Sequence, residues 1–269
     1  MKDAIALALI LAATLARPAF ASSSAWHEFE GGNVRLVTAG APDDAGIVRG
    51  ALQIDLKPGW KTYWLDPGDA GVPPTMDTST STNVVSANMS FPAPRRFDDG
   101  FAKWAGYSEP VSFPVAFALA EAGQPVAIKA RVFLGICETI CVPAQATLTL
   151  DPASDAGNAD DAAVVQAAFD ALPGKPSADF GVTVVAADED SVTVEARFSG
   201  EPADVDFFLA CAEGYQFGPP ERRDQGGRLL FSVPIIQHPD KAPDKGALQY
   251  TLTSTAGAVS GTIPLPLAQ

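Results

Sequence analysis

The stretch from Val126 to Leu150 narrows the fold most, because it holds a strand, a turn and a second strand with two sulfurs at the bend. Arg131 to Pro143 reads RVFLGICETICVP. A mostly apolar run enters it, and Gln145-Ala146-Thr147-Leu148-Thr149-Leu150 leaves it in alternation, the period of a half-buried strand. Two such runs joined by a short turn make a β-hairpin. The turn carries Cys137 and Cys141, with three residues between them.

The rest of the chain has the same texture. Val34–Ala39, Ile47–Leu56, Trp60–Leu65, Val84–Phe91 and Val111–Leu119 are strand-like runs, separated by breakers drawn from 23 Pro and 23 Gly. Helical periodicity is nearly absent, which points to an all-β chain of sandwich type. Asp66 to Pro74, DPGDAGVPP, is an ordered loop in that series. Past Leu150, Asp151 to Lys175 is rich in Ala and Asp. Asn158 is its candidate N-cap, and Val164, Val165, Ala168, Phe169 and Leu172 recur at helical spacing before Pro173-Gly174. Strands then return at Val182–Ala186, Val192–Phe198, Val205–Ala212, Arg228–Ile236, Leu248–Ser254 and Ala258–Leu265. The expected division is a signal peptide over 1–21, a first β-sandwich over 22–150, a helical linker over 151–176 and a second β-sandwich over 177–269.

The signal peptide rests on Lys2, the apolar run Ala4–Leu15 and the Ala19-Phe20-Ala21 cleavage site before Ser22. Export places the mature chain in an oxidising compartment, where neighbouring cysteines can pair. No later apolar run approaches the roughly 18 residues of a membrane helix, so no direct membrane insertion is expected. A formal charge of −14 argues against nucleic acid as a partner. His27 and His238 lie near opposite ends, too sparse for a zinc site or a Cys–His nucleophile. No cofactor, no resident metal and no hydrolase constellation are expected.

Three cysteines allow three pairings. Cys137 with Cys141 is the economical one, since residues four apart across a tight turn can meet the geometry of a disulfide. So short a loop gains only about 2 kcal/mol from chain entropy. The bond is therefore either a turn staple or a reversible dithiol/disulfide, and the small ring favours the second. Glu138 is the one charged residue between the sulfurs, so nothing inside the motif lowers a thiol pKa, and a pair shielded until a partner docks is expected. Tyr63, Trp64, Phe97, Trp104 and Tyr107 are candidates to cover it, or are simply core. Cys211 shares a strand face with Phe207 and Leu209 and reads as a buried, inert thiol. The competing function is a non-catalytic module with a structural disulfide that binds a partner, or Cu(I) through two thiolates helped by Met76 or Met89.

Five blocks taken together carry a resemblance. They are GWKTYWLDPGDAGVPP (Gly59 to Pro74), FPAPRRF (Phe91 to Phe97), Gly106-Tyr107, SFPV (Ser112 to Val115) and LGICETICVP (Leu134 to Pro143). In this order they resemble the periplasmic N-terminal region of the DsbD/ScsB family of thiol:disulfide interchange proteins. The second β-unit is similar in outline to the ScsB-like branch. The resemblance implies two immunoglobulin-like β-sandwich domains joined by a short helical linker, in the periplasm. It implies a redox role for Cys137 and Cys141, as a protein-disulfide reductase component. Tyr63, Trp64, Asp66 and Asp69 are the implied cap or supporting residues. The implied partners are a membrane electron-transfer protein of DsbD/CcdA type and thioredoxin-like periplasmic proteins. The implied clients are disulfide isomerases and factors for cytochrome c maturation or copper resistance. The sequence holds neither the family's membrane segment nor its thioredoxin-like domain, so a stand-alone soluble protein served by a separate carrier is expected.

Overall fold

The computed structural model describes residues 22–68, 71–98, 100, 103–210, 215–238 and 247–264. The expected signal peptide, Asp69 and Cys211 lie outside the described residues. Before the helix the strands are β1 (His27–Phe29), β2 (Gly32–Thr38), β3 (Ile47–Leu56), β4 (Lys61–Tyr63), β5 (Thr75–Asp77) and β6 (Val84–Met89). They continue as β7 (Arg95–Asp98), β8 (Lys103–Tyr107), β9 (Val111–Leu119), β10 (Ile128–Cys137) and β11 (Cys141–Leu150). One sheet runs β1-β2-β3-β9-β6; the facing sheet runs β11-β10-β4-β8-β7, with β5 paired to β10. This is an immunoglobulin-like sandwich, and alternation explains its core. Leu52, Ile54, Phe113 and Phe117 of the first sheet meet Ile128, Val132, Leu134 and Ile136 of the second. Each such side chain contributes roughly 1.5–3 kcal/mol on burial.

Ala51 and Val37 face away from that core yet are fully buried. Helix α1 (Ala159–Asp170) covers them, setting Val165 and Ala168 against the outer surface of β2 and β3. Asn158 caps the helix by accepting from the Asp160 and Asp161 amides, as its sequence predicts. Ser22 Oγ donates to Asp161 Oδ2 at 2.6 Å, tying the start of the described chain to the helix. The helical segment is thus docked on the first sandwich as well as leading to the second.

After it come β12 (Gly181–Ala187), β13 (Ser191–Arg197), β14 (Asp206–Ala210), β15 (Gln216–Phe217), β16 (Glu221–Gln225), β17 (Arg228–Gln237), β18 (Ala247–Ser254) and β19 (Gly257–Pro264). One sheet runs β12-β13-β17-β15 with β16 on β17; the other runs β14-β18-β19. Phe207, Phe231, Tyr250 and Leu252 fill the core between them. Strand β14 is buried on both faces, which is why its sequence is apolar without alternation. Phe207 and Leu209 serve their own core, while Phe208 and Ala210 join the core of the first sandwich. At this junction Arg96 pairs with Asp206 at 3.1 Å and donates to the Phe207 carbonyl at 2.8 Å. Among the described residues no helix is long and apolar enough to cross a membrane.

Candidate functional site

Strands β10 and β11 stay in register to the end of their hairpin, where Cys137 and Cys141 are directly opposed. Residues opposed across an antiparallel pair point to the same face. The face here is the outer one, because Leu134 and Ile136 take the core side and Gly135 and Cys137 the other. The two sulfurs are bonded at 2.10 Å. They are not equivalent. Cys137 is 1% exposed, whereas Cys141 is an exposed residue.

Burial of Cys137 comes from β4, which pairs Thr62 with Ile136 and Lys61 with Cys137. Thr62 points inward and its hydroxyl donates to the Gly135 carbonyl at 3.1 Å. Lys61 and Tyr63 consequently share the outer face with the disulfide. The Tyr63 hydroxyl lies 2.9 Å from Cys137 Sγ and 3.4 Å from Cys141 Sγ. Disulfide sulfurs carry no proton, so the phenol is the donor in both contacts.

Two glycines make room for the Tyr63 ring. A Cβ at Gly135 would stand 3.0 Å from one edge of it, and a Cβ at Gly71 would stand 2.6 Å from the other. Gly71 also has φ of 149°, which disfavours any side chain there. The ring is therefore held between the hairpin and the proline-rich loop after β4. Beyond it Trp104 meets Tyr63 edge-on at 5.8 Å, and Phe97 stacks on Trp104 at 3.9 Å. Tyr63, Trp104 and Cys137 form one buried cluster with Phe97 at its margin. The indole Nε1 of Trp104 is buried with no acceptor among the described residues. Next to the accessible sulfur Ile140, at 70% exposure, presents apolar surface to solvent, and Val72, beside Gly135, is 45% exposed.

Residues 37–153 match the family described as thiol:disulfide interchange protein DsbD, N-terminal. That match lies on the first sandwich, from the end of β2 through β11. The chain as a whole is similar to the crystal structure of the N-terminal periplasmic domain of ScsB from Proteus mirabilis. The TM-score is 0.73 at 21% identity, over 92% of this chain and 99% of that one, so the two share a fold through both sandwiches. Alignments to the C-terminal domains of Streptococcus pyogenes AspA and Streptococcus agalactiae BspA reach TM-scores of 0.18, at 9% and 10% identity over 91% and 89% of this chain and 98% and 97% of theirs. No curated protein matches by sequence.

Within the first sandwich the expected supporting residues separate by face. Tyr63 touches both sulfurs, with Trp104 and Phe97 behind it. Trp64 turns the other way, into the core, and meets Phe208 of the second sandwich edge-on at 5.8 Å. Tyr107 also points inward, donating to the Pro92 carbonyl at 2.8 Å, and burial raises its pKa well above the usual phenol value. Asp66 accepts from the Gly68 amide at 3.1 Å and shapes the start of the loop. Met76 is opposite Val132, on the core side of β10, and Met89 packs on the core from β6, so neither joins the sulfurs. Sequence reading missed Lys61, Gly71 and Gly135. The Gly135-Ile136-Cys137 run was the available signal for one of them.

Proposed function

We propose that this protein is a periplasmic thiol:disulfide exchange protein. Its Cys137–Cys141 pair relays electrons from a membrane electron-transfer protein of DsbD/CcdA type to client disulfides, with thioredoxin-like proteins docking at the hairpin tip. In this reading residues 22–150 are the redox unit, 151–176 the linker and 177–269 the second unit. One observation carries it: a single disulfide offers one sulfur to solvent and seals the other under a hydroxyl that reaches both. A bond that only stapled a turn would need no such donor.

The step follows from that asymmetry. A reduced partner's thiolate attacks Cys141 Sγ and forms a mixed disulfide. The Cys137–Cys141 bond breaks, and its electron pair stays on Cys137 Sγ as a thiolate. Tyr63 O–H already points at that atom and supplies a charge-assisted hydrogen bond as the charge appears. The partner's second thiolate then attacks the partner's own sulfur in the mixed disulfide and releases Cys141. The partner leaves oxidised, and two electrons and two protons remain here as a dithiol. Run in reverse against an oxidised client, the same sequence passes them on.

Trapping tests this. Cys137→Ser leaves Cys141 without its resolving thiol, so a mixed disulfide through Cys141 should accumulate and be identifiable by mass spectrometry, whereas Cys141→Ser should trap far less. Equal failure of both variants, with a couple below about −300 mV that thioredoxin-like donors cannot reduce, would mark a structural bridge.

A further inference from the structure

Opening the Cys137–Cys141 bond places a negative charge on a sulfur that is 1% exposed. A thiolate in apolar surroundings is disfavoured, and its pKa rises. The turn offers no compensation, since Glu138 is the charged residue between the two sulfurs. A hydroxyl hydrogen bond from Tyr63 helps but brings no net charge. The strand register brings one.

We propose that Lys61 is the positioning cation that stabilises the Cys137 thiolate, a role that rests on the exchange function proposed above. Lys61 is directly opposite Cys137 in the β4–β10 pairing. Opposed residues carry their Cβ atoms roughly 4.5–5.5 Å apart on one face. The Lys61 side chain reaches over the Trp104 ring. Its Nζ stands 4.5 Å from the centroid of the Trp104 ring, the ring that packs with Tyr63 and Cys137. Attraction between a cation and an indole face holds the charge beside the sulfur cluster before any partner arrives.

Other charged groups lie on the surrounding elements. On β7 and β8, Asp98 and Lys103 pair with each other at 3.8 Å. Glu138 is exposed and turned towards Gly59, and Asp66 is bonded to the Gly68 amide. On β10, Arg131 is bound to Asp77 at the far end of the strand. Among the described residues, Lys61 is the cation that the strand register sets opposite Cys137. It moves no proton and forms no bond. It favours the state in which the electron pair has arrived on Cys137 Sγ, and so speeds every exchange that begins with attack on Cys141.

The test isolates that sulfur. In a Cys141→Ser, Cys211→Ser background of the full chain, Cys137 is the remaining thiol, and ultraviolet absorbance follows its ionisation with pH. Lys61→Met should raise the midpoint by about one unit, a tenfold loss of thiolate at a fixed pH below it. Lys61→Arg should restore most of the difference. A midpoint unchanged in Lys61→Met, or shifted equally in Lys61→Arg, overturns the proposal. No partner enters the titration, so its outcome is independent of trapping. An unshifted midpoint in a protein that still forms mixed disulfides sinks Lys61 alone. Absence of mixed disulfides sinks the exchange reading alone.

Discussion

The two sandwiches dispose of their aromatic residues in opposite ways. In the second, Phe207, Phe231 and Tyr250 stack in the space between the sheets, where large rings bring the most burial. In the first, Phe113 and Phe117 do the same, but Tyr63, Trp104 and Phe97 lie together on the outside of a sheet, against a disulfide. An aromatic cluster outside the core does little for folding that the core has not already done. Its position against the sulfurs fits the exchange proposed above, in which it would shield and polarise the bond. Both units contain a long hairpin, yet the β18–β19 turn carries no sulfur, no flanking aromatic cluster and no opposing lysine among the described residues. The contrast separates what the fold needs from what the chemistry needs.

Substitutions can break or sharpen that contrast. The largest effect is expected from Cys137→Ser, which should abolish turnover of any client disulfide while lowering the stability of the first sandwich by about 2 kcal/mol, the share of the lost bond, and leaving the second sandwich unchanged. Coupled insulin-type reduction and calorimetry read the two quantities separately. Next, Phe207→Ala should cost about 3–5 kcal/mol of stability through loss of a core ring, measured by denaturant unfolding. The reduction potential of the Cys137–Cys141 couple should stay where it was. A shifted potential would mean that the second sandwich tunes the site. Smaller again, Tyr63→Phe keeps the ring between its two glycines and removes only the hydroxyl. Exchange should slow by about tenfold, the equivalent of one hydrogen bond of roughly 1.4 kcal/mol. Stopped-flow mixing with a reduced thioredoxin-like donor would show it. Smallest, Asn158→Ala should lower stability by about 1 kcal/mol by uncapping the helix on the first sheet, with no change in exchange rate.

The legible parts of the fold were those in which alternation is strong. Ile47–Leu56 and Val111–Leu119 read as strands with the limits they have, and the sulfur-bearing hairpin was visible from its two flanking runs. Asn158 announced its helix. The short strands were not legible. Thr75–Asp77 and Arg95–Asp98 owe their strand geometry to partners on β10 and β8, and Glu221–Gln225 is exposed along its whole length and exists by pairing with β17. At the site, identity was legible and orientation was not. Tyr63 and Trp64 are neighbours in sequence, so both were candidates for the sulfurs, and only the register of β4 decides that one faces the disulfide and the other the second sandwich. Lys61 was hidden for the same reason. Its opposition to Cys137 is set by a pairing between strands far apart along the chain, which no local pattern encodes.

The two sulfurs are unequally exposed, Cys137 buried and Cys141 open to solvent. In the exchange proposed above, with Cys141 as the entrance, donor and acceptor would use the same doorway in turn, and no ternary assembly would load and unload the pair at once. Steady-state kinetics with two partners should therefore give parallel reciprocal plots, the signature of a shuttle that must release one visitor before admitting the next.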